Sequence, residues 1–141
     1  MQNELLFDIT AYLAPPITIL ATPEGDRLII YVTGGEFSGP RLRGEVLPGG
    51  GDWFLIRPDG MGTLDVRIVL KTDNGEYIYM VYRGIAQLPP GGLGAGPFPI
   101  RTAPSFFASR NGKFAWLNSV QAIGEGEIVD GGVKYRVYEA R

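Results

Sequence analysis

The chain contains neither cysteine nor histidine. Without cysteine it has no disulfide, no thiolate zinc site and no cysteine nucleophile. Without histidine it has no imidazole metal ligand, and every Ser-His-Asp mechanism is excluded. Any chemistry must use carboxylates, Arg, Lys, Tyr, Ser, backbone dipoles or a borrowed cofactor. An all-carboxylate metal site remains open, but no EF-hand loop or similar ligand spacing is present, so we predict no metal.

The chain also lacks an excess of charge and long apolar runs. Its 13 basic and 15 acidic residues give a net charge of -2, which offers no electrostatic footprint for nucleic acid. No stretch approaches the roughly 18 apolar residues of a membrane-spanning helix. The start, Met1 to Glu4, has no basic segment or cleavage site of a signal peptide. We therefore expect a cytoplasmic protein that binds neither nucleic acid nor membrane.

Glycine and proline are abundant and spread along the chain. The 21 Gly and 11 Pro residues of a 141-residue chain interrupt it often enough to exclude long helices, which is typical of many short strands joined by turns. We expect one all-β domain over residues 1–141. The predicted strands cover 5–13, 27–32, 41–47, 52–57, a hairpin over 63–83, and then 100–103, 113–123 and 132–140.

The predicted hairpin is the clearest of these elements. Asn74-Gly75 fits a two-residue type I′ turn, which would place Arg67 opposite Tyr82. Asp65, Arg67 and Tyr82 would then share one face of the hairpin. The other face would be wholly apolar apart from tyrosine, so we expect it to meet protein and the charged face to line a barrel lumen. A second subunit packed on the outside of a barrel would satisfy this pattern, and so would two layers of sheet within one chain. We favour the barrel with a polar lumen and expect a homo-oligomer.

The segment that follows Gly49–Gly51 is a first candidate site. Asp52, Trp53 and Arg57 bring a carboxylate and a guanidinium beside an aromatic ring, where glycine lets the backbone approach a ligand. The alternative is a turn acid, a core tryptophan and a solvated turn. Asp59, in Pro-Asp-Gly, is best explained by turn chemistry alone.

Further candidates lie on the hairpin and in the C-terminal third. Asp65 and Arg67 are two apart on a strand and so share a face, with Tyr82 across from them. The alternative is an exposed cross-strand pair of little energetic value. Arg101 and Trp116 are candidate ligand-binding residues, and the alternatives are a surface arginine and a core tryptophan.

Residues 87–99 form a long loop without regular structure, because they are mostly Gly and Pro. Loops of this length often act as lids or are simply mobile, and both remain open. Gly49–Gly51 lacks the Lys-Ser/Thr of a phosphate-binding loop, and Gly92–Gly96 lacks the dinucleotide fingerprint.

An ordered series of short motifs resembles the DUF3237 family, also called UPF0311. They are Thr22–Arg27, Gly34–Pro40, Gly44–Trp53, Arg57–Gly60, Leu64–Arg67, Thr72–Gly75, Ile100–Pro104 and Phe114–Asn118. The resemblance implies a closed or nearly closed antiparallel barrel of about 8–10 strands, similar to allene oxide cyclases and dirigent proteins. Those relatives are oligomeric and hold apolar ligands, but the family has no settled activity. Ile100 stands where the family usually has an aromatic residue.

Two functions fit these observations, and whether the chain is an enzyme stays open. In the first, a cofactor-independent cyclase or isomerase acts on an apolar, phenolic or carbonyl compound. Asp52 or Asp65 would be the general base, and Arg67 or Arg101 would stabilise a developing enolate or phenolate. The ligand would contact Trp53, Arg57, Tyr82, Arg101 and Trp116. In the alternative, the barrel binds or carries a small apolar or aromatic ligand without catalysis.

Overall fold

Ten β-strands and one short 3₁₀ helix make up most of the computed structural model, which describes residues 3–141. In chain order they are β1 (Asn3–Leu13), β2 (Ile17–Thr22), β3 (Gly25–Ser38), β4 (Arg43–Val46), β5 (Gly51–Ile56), β6 (Gly62–Thr72), β7 (Tyr77–Ala86), β8 (Ile100–Ala108), the 3₁₀ helix (Ala115–Ser119), β9 (Ala122–Val129) and β10 (Gly132–Ala140).

The strands form a closed antiparallel barrel. Its order is β1, β10, β9, β8, β7 and β6, then the short strands β4 and β5, then β3, which pairs back with β1. β4 and β5 lie end to end between β3 and β6. The barrel thus has eight positions, and β2 extends it by pairing with β3. The prediction of an all-β antiparallel barrel is confirmed.

The β6–β7 hairpin has a register one residue away from the predicted one. Arg67 lies opposite Val81, and Val66 lies opposite Tyr82. The predicted pairing of Arg67 with Tyr82 is therefore wrong. Because side chains alternate along a strand, a shift of one residue exchanges the partners on each face of the hairpin.

The cause of the shift is a turn of three residues instead of two. The Thr72 N–H donates to the Glu76 carbonyl (2.8 Å) and the Gly75 N–H donates to the Thr72 carbonyl (2.9 Å). Gly75 has a φ of +88°, whereas Asn74 is outside the left-handed region. This is a type I turn followed by a left-handed glycine, whereas a type I′ turn needs a positive φ at both central residues.

The inner face of the hairpin is consequently the apolar one. The buried side chains of both strands point into the barrel: Leu64, Val66, Ile68, Leu70, Ile78, Met80 and Tyr82. Arg67 is exposed on the outer face, and Asp65 lies on that face partly exposed. The predicted inward direction of Asp65 and Arg67 is wrong, because the apolar side chains of both strands fill the lumen.

One end of the barrel is filled by aromatic rings. Phe7 is fully buried and packs edge-on against Phe37 (ring centroids 5.4 Å apart) and Phe106 (5.9 Å). Phe114 and Leu117, beside and within the 3₁₀ helix, are also buried in the core. The packed rings occupy this end of the lumen, so we look for a ligand site toward the other end.

The region predicted as a strand over residues 113–123 is different in the structure. Residues Ala115–Ser119 form the 3₁₀ helix, and β9 starts at Ala122. The Asn118 carboxamide accepts from the Ala108 N–H (2.7 Å) and donates to the Ala108 carbonyl (3.0 Å). The Asn118 side chain thus replaces a neighbouring strand as the hydrogen-bond partner of β8. The alternation of apolar and polar residues in this segment comes from the packing of a short helical turn.

Candidate functional site

A cavity of about 60 Å³ lies inside the barrel at the end opposite the aromatic plug. Asp52 points into it because β5 alternates, with Asp52 and Phe54 facing inward and Trp53 facing outward. Only Asp52 and Tyr135 are polar among its lining residues, which are Leu13, Ile30, Asp52, Phe54, Leu64, Leu93, Phe98, Ile100, Ile128, Val133 and Tyr135. A cavity of this size holds a few water molecules or a small polar head group.

The Asp52 carboxylate is held by one backbone hydrogen bond. The β5–β6 pairing skips Trp53 and Phe54, and in this gap the Asp65 N–H donates to Oδ1 of Asp52 (3.0 Å). Oδ2 makes no hydrogen bond with any residue from 3 to 141, and it is not sealed from solvent. One oxygen therefore fixes the carboxylate and the other is available to a ligand.

The pKa of Asp52 is raised to about 7. Burial is the main cause, since the apolar cavity disfavours the ionised form. The hydrogen bond from the Asp65 N–H lowers the pKa and the negative charge of Asp65 raises it, both by less than burial does. Near neutral pH the carboxyl group is therefore present both as acid and as base.

Two buried tyrosines lie near enough to Asp52 for its charge to act on their hydroxyls. The rings of Tyr82, on β7, and Tyr135, on β10, meet edge to face with centroids 5.4 Å apart. Burial is the main cause that raises the pKa of both hydroxyls. The interaction between the two hydroxyls raises the pKa of Tyr82 and lowers that of Tyr135, and the charge of Asp52 raises both. Both phenols consequently stay protonated at neutral pH and can donate hydrogen bonds.

The position of Tyr135 depends on a glycine in the neighbouring strand. Gly126 pairs with Tyr135 in the β9–β10 ladder. A Cβ at Gly126 would lie 2.3 Å from the Tyr135 ring, so any side chain here would displace that ring. Gly126 thereby lets the ring lie flat over β9.

The loop over residues 87–99 covers the cavity. Its base is closed by a hydrogen bond from the Gln87 N–H to the Pro99 carbonyl (3.2 Å). Phe98 packs against the core, and Leu93 lines the cavity although its side chain remains 40% exposed. Leu93 and Phe98 therefore place this loop over the cavity.

Most of the predicted site residues lie outside the barrel. Trp53, Asp65 and Arg101 line an open outer cleft of about 740 Å³ together with Arg83. Arg67 lies in a neighbouring cleft that Asp65 also lines. These side chains are brought near one another, but by the solvent-facing surface and not by the lumen.

Neither the lumen cavity nor the outer clefts are lined by Arg57 or Trp116. Arg57 forms an ion pair with Asp59 in the turn after β5, which also holds the pKa of that carboxyl below its usual range. Trp116 is partly buried, with the Arg41 guanidinium 4.0 Å from its ring centroid. Of the predicted residues, only Asp52 and Tyr82 thus belong to the lumen.

Sequence reasoning missed Tyr135 as a site residue. The alternation of Val133, Tyr135 and Val137 marked the inner face of β10, and all three are buried. A hydroxyl on an otherwise apolar inner face was the available signal, since a buried phenol needs a polar partner.

The sequence matches the family described as "Protein of unknown function (DUF3237)" over residues 1–140. The chain belongs to this family. The resemblance found in its motifs is thereby confirmed, and this DUF3237 chain shares the family's barrel.

Relatives of this DUF3237 chain come from several bacteria. A UPF0311 protein of Clostridium acetobutylicum is 32% identical over 127 residues, which are 83% of this chain and 80% of that protein. A crystal structure from the same organism, of unknown function, has a TM-score of 0.91 at 30% identity and covers both chains fully. A β-barrel-like protein of Acinetobacter baumannii has a TM-score of 0.89 at 28% identity, with 99% and 96% coverage.

Two fungal proteins resemble the DUF3237 chain more distantly. A "PR-toxin biosynthesis cluster protein 7" of Penicillium roqueforti is 33% identical over 75 residues, or 43% of this chain and 40% of that protein. A crystal structure described as an enzyme from Penicillium herquei has a TM-score of 0.75 at 22% identity, with 99% and 94% coverage. The latter likeness shows a shared fold alone.

The described part of the DUF3237 chain offers neither a carboxylate metal site nor a membrane-spanning helix. Within residues 3–141, no group of three or more Asp or Glu side chains is placed to hold a metal ion. No helix in the same range has the length and apolar character needed to cross a membrane.

Proposed function

We propose that the barrel binds a small, largely apolar compound with a carbonyl or phenolic oxygen and that Asp52 transfers a proton to or from it. The class of reaction is a cofactor-independent isomerisation or cyclisation. The observation that carries the proposal is a carboxyl group with a pKa of about 7 in an apolar cavity, beside two buried tyrosine hydroxyls.

Asp52 is suited to act as the general base. Because its pKa lies close to neutral pH, a usable fraction is ionised while its basicity exceeds that of an ordinary carboxylate. The Asp65 N–H fixes Oδ1, so Oδ2 would take the proton from a carbon beside a carbonyl, or from a phenol. The same group would return the proton at another position, which balances the reaction without a cofactor.

Tyr135, which lines the cavity, is suited to stabilise the oxyanion that forms, and Tyr82 packs against it. Their hydroxyls remain neutral donors in a site from which water is largely excluded. Hydrogen bonds aimed at a developing enolate or phenolate are strong in such surroundings. In this proposal the tyrosine hydroxyls stabilise the oxyanion, a role that the sequence suggested for Arg67 or Arg101.

The test is a proton-transfer assay with defined probes. We expect the protein to convert cyclohex-3-enone to its conjugated isomer, followed by ultraviolet absorbance, or to exchange the α-protons of alkyl aryl ketones in D₂O. Asp52→Asn should lower the rate by about 10²–10⁴-fold. Asp130→Asn, an exposed acid in the β9–β10 turn, is the matched control and should keep the wild-type rate.

The pH profile gives a second criterion. The rate should rise with pH through an apparent pKa near 7, the value at Asp52. Proton transfer that persists in Asp52→Asn with the wild-type pH profile would contradict the proposal.

Non-catalytic binding is the second candidate function. It is favoured by the composition of the cavity, in which every lining residue apart from Asp52 and Tyr135 is apolar. A carrier would be stabilised against heat by its ligand and would release that ligand unchanged after hours. The name of the Penicillium roqueforti relative supports a role in handling small molecules, in either form.

We also propose that the protein is a homo-oligomer in solution. Large apolar side chains are exposed on the outer surface of the barrel: Ile17, Ile19, Leu20, Tyr31, Tyr77, Tyr79 and Phe107. Such surfaces are typical of interaction sites. Sedimentation equilibrium measures the mass directly, and a monomer at all concentrations would contradict this proposal.

A further inference from the structure

An apolar surface groove of about 590 Å³ lies beside the Asp52 cavity. Five residues line both spaces: Leu13, Ile30, Leu93, Phe98 and Ile128. The rest of the groove is lined by alanine, proline, glycine and valine. The groove and the cavity are therefore adjacent, and the polar groups Asp52 and Tyr135 lie on the cavity side.

The groove offers nothing to a charged ligand. None of the described residues that line it carries a charged or hydrogen-bonding side chain. A carboxylate or phosphate placed there would lose its hydration without gaining a partner, which is strongly unfavourable. An alkyl or prenyl-like chain would instead gain from the contact, because burial of apolar surface is favourable.

Both rims of the groove expose apolar side chains. On the loop side Leu93 is 40% exposed, and on β9 Ile128 is 53% exposed. These two residues lie at the junction between groove and cavity, since they line both. A chain lying in the groove would cover them.

We propose that this groove binds the apolar tail of an uncharged ligand whose oxygen-bearing head lies at Asp52. Leu93, Phe98 and Ile128 then determine which tails are accepted. The identity of the head rests on the proposed function, but the tail site is tested separately. The substrate class becomes an uncharged phenol or ketone with an extended aliphatic substituent.

The experiment uses a series of para-alkylphenols as probes: phenol, then the ethyl, butyl and hexyl compounds. Affinities are measured by isothermal titration calorimetry on the wild-type protein. We expect up to about a fourfold gain per methylene until the groove is filled. A hexylphenol whose chain ends in a carboxylate should bind at least tenfold more weakly than the hexylphenol itself. No gain with chain length in the wild type would overturn the proposal.

Two exposed positions allow variants that keep the fold. Leu93→Asp and Ile128→Asp place a charge at the junction and should abolish the gain with chain length, measured in each variant relative to phenol itself. Ile19→Asp is the matched control, because Ile19 is 51% exposed on β2 and lies outside the groove. The control should retain the full gain. A chain-length dependence that survives in Ile128→Asp would place the tail elsewhere.

The outcomes separate this inference from the proposed function. If Asp52→Asn binds the whole series as tightly as the wild type, the head of the ligand is not at Asp52. That result would contradict the proposed function but would leave the tail site in the groove supported. If Asp52→Asn loses proton transfer but the wild type shows no chain-length dependence, the proposed function is supported and the tail site in the groove is contradicted. If Ile128→Asp lowers the sedimentation mass, a second copy of the chain covers the groove, which also overturns the ligand assignment.

Discussion

The ring of Tyr135 occupies the space that a side chain at Gly126 would need. A Cβ at Gly126 would approach the ring to 2.3 Å, although the two residues are regular partners in the β9–β10 ladder. Tyr135 in turn meets Tyr82 across the barrel. A glycine on the barrel wall therefore sets the position of two hydroxyls in the candidate site.

Gly126→Ala should displace Tyr135 and destabilise the protein by about 1–3 kcal/mol, the usual cost of overpacking. Urea unfolding measures this change. In a Tyr135→Leu background the smaller side chain can move away, so the same substitution should cost much less. Equal costs in both backgrounds would show that the Tyr135 ring is not what Gly126 accommodates.

The buried carboxyl predicts a specific dependence of stability on pH. Asp52 has a pKa of about 7 in the folded protein and an ordinary value of 3.8 without the fold. Well below pH 3.8 the group is protonated in both states and has no effect on the free energy of unfolding. As the pH rises from about 4 to about 7, Asp52 ionises in the unfolded chain but stays protonated in the folded protein. The folded state therefore loses stability over this range. The shift corresponds to a loss of at most about 4 kcal/mol.

Asp52→Asn should remove that dependence. The difference in unfolding free energy between wild type and variant, from urea titrations at about pH 4 to about pH 8, should change in favour of the variant as the pH rises. Asp130→Asn controls for the loss of a carboxylate at the surface. Parallel curves for wild type and Asp52→Asn would show that Asp52 ionises normally in the folded state.

Removal of a tyrosine hydroxyl should affect catalysis more than stability. Tyr135→Phe keeps the ring over Gly126 and deletes only the donor, so we expect a loss of about a hundredfold in kcat/KM in the ketone assay. Its unfolding free energy should change by less than about 1.5 kcal/mol. Tyr79→Phe, on the outer face, serves as the control. An unchanged rate in Tyr135→Phe would exclude this hydroxyl from the reaction.

Substitutions on the outer surface should leave proton transfer unchanged. Arg67 and Trp53 lie on the outside of the barrel, so Arg67→Ala and Trp53→Ala should keep the wild-type rate, and Arg67→Ala should shift stability by no more than about 0.5 kcal/mol. The same assay used for Asp52→Asn checks this. A strong loss of rate in folded Arg67→Ala protein would move the site to the outer cleft.

In the β6–β7 hairpin, the local sequence pattern predicts the turn but does not determine the register of the two strands. Asn74-Gly75 correctly indicated a turn, but two-residue and three-residue turns both suit that pair. The Thr72 hydroxyl, which accepts from the Glu76 N–H (3.1 Å), helps to hold the longer turn. One residue of difference decided which face of β7 joins the apolar face of β6.

β2 and the 3₁₀ helix were missed for a related reason. The predicted strands include none between residues 13 and 27, yet after Pro15-Pro16 the chain pairs with β3 from Ile17 onward. Apolar and polar side chains alternate around Asn118 as they would in a strand, but the segment folds as a helical turn. The side-chain carboxamide of Asn118 forms the hydrogen bonds with the β8 backbone that a neighbouring strand would otherwise form. Both outcomes depend on partners that are distant in sequence.

The sequence by itself determined the architecture and the available chemistry: frequent Gly and Pro require short strands, alternation supplies an inner face, and the absence of Cys and His leaves carboxyl and phenol groups. It also indicated Asp52. Only the tertiary structure decided that Asp65 contributes its backbone N–H and Arg67 faces solvent, and that Tyr135 meets Tyr82. The physical reason is that alternation defines two faces of each strand, whereas register and barrel closure determine which face is enclosed and which residues meet across it.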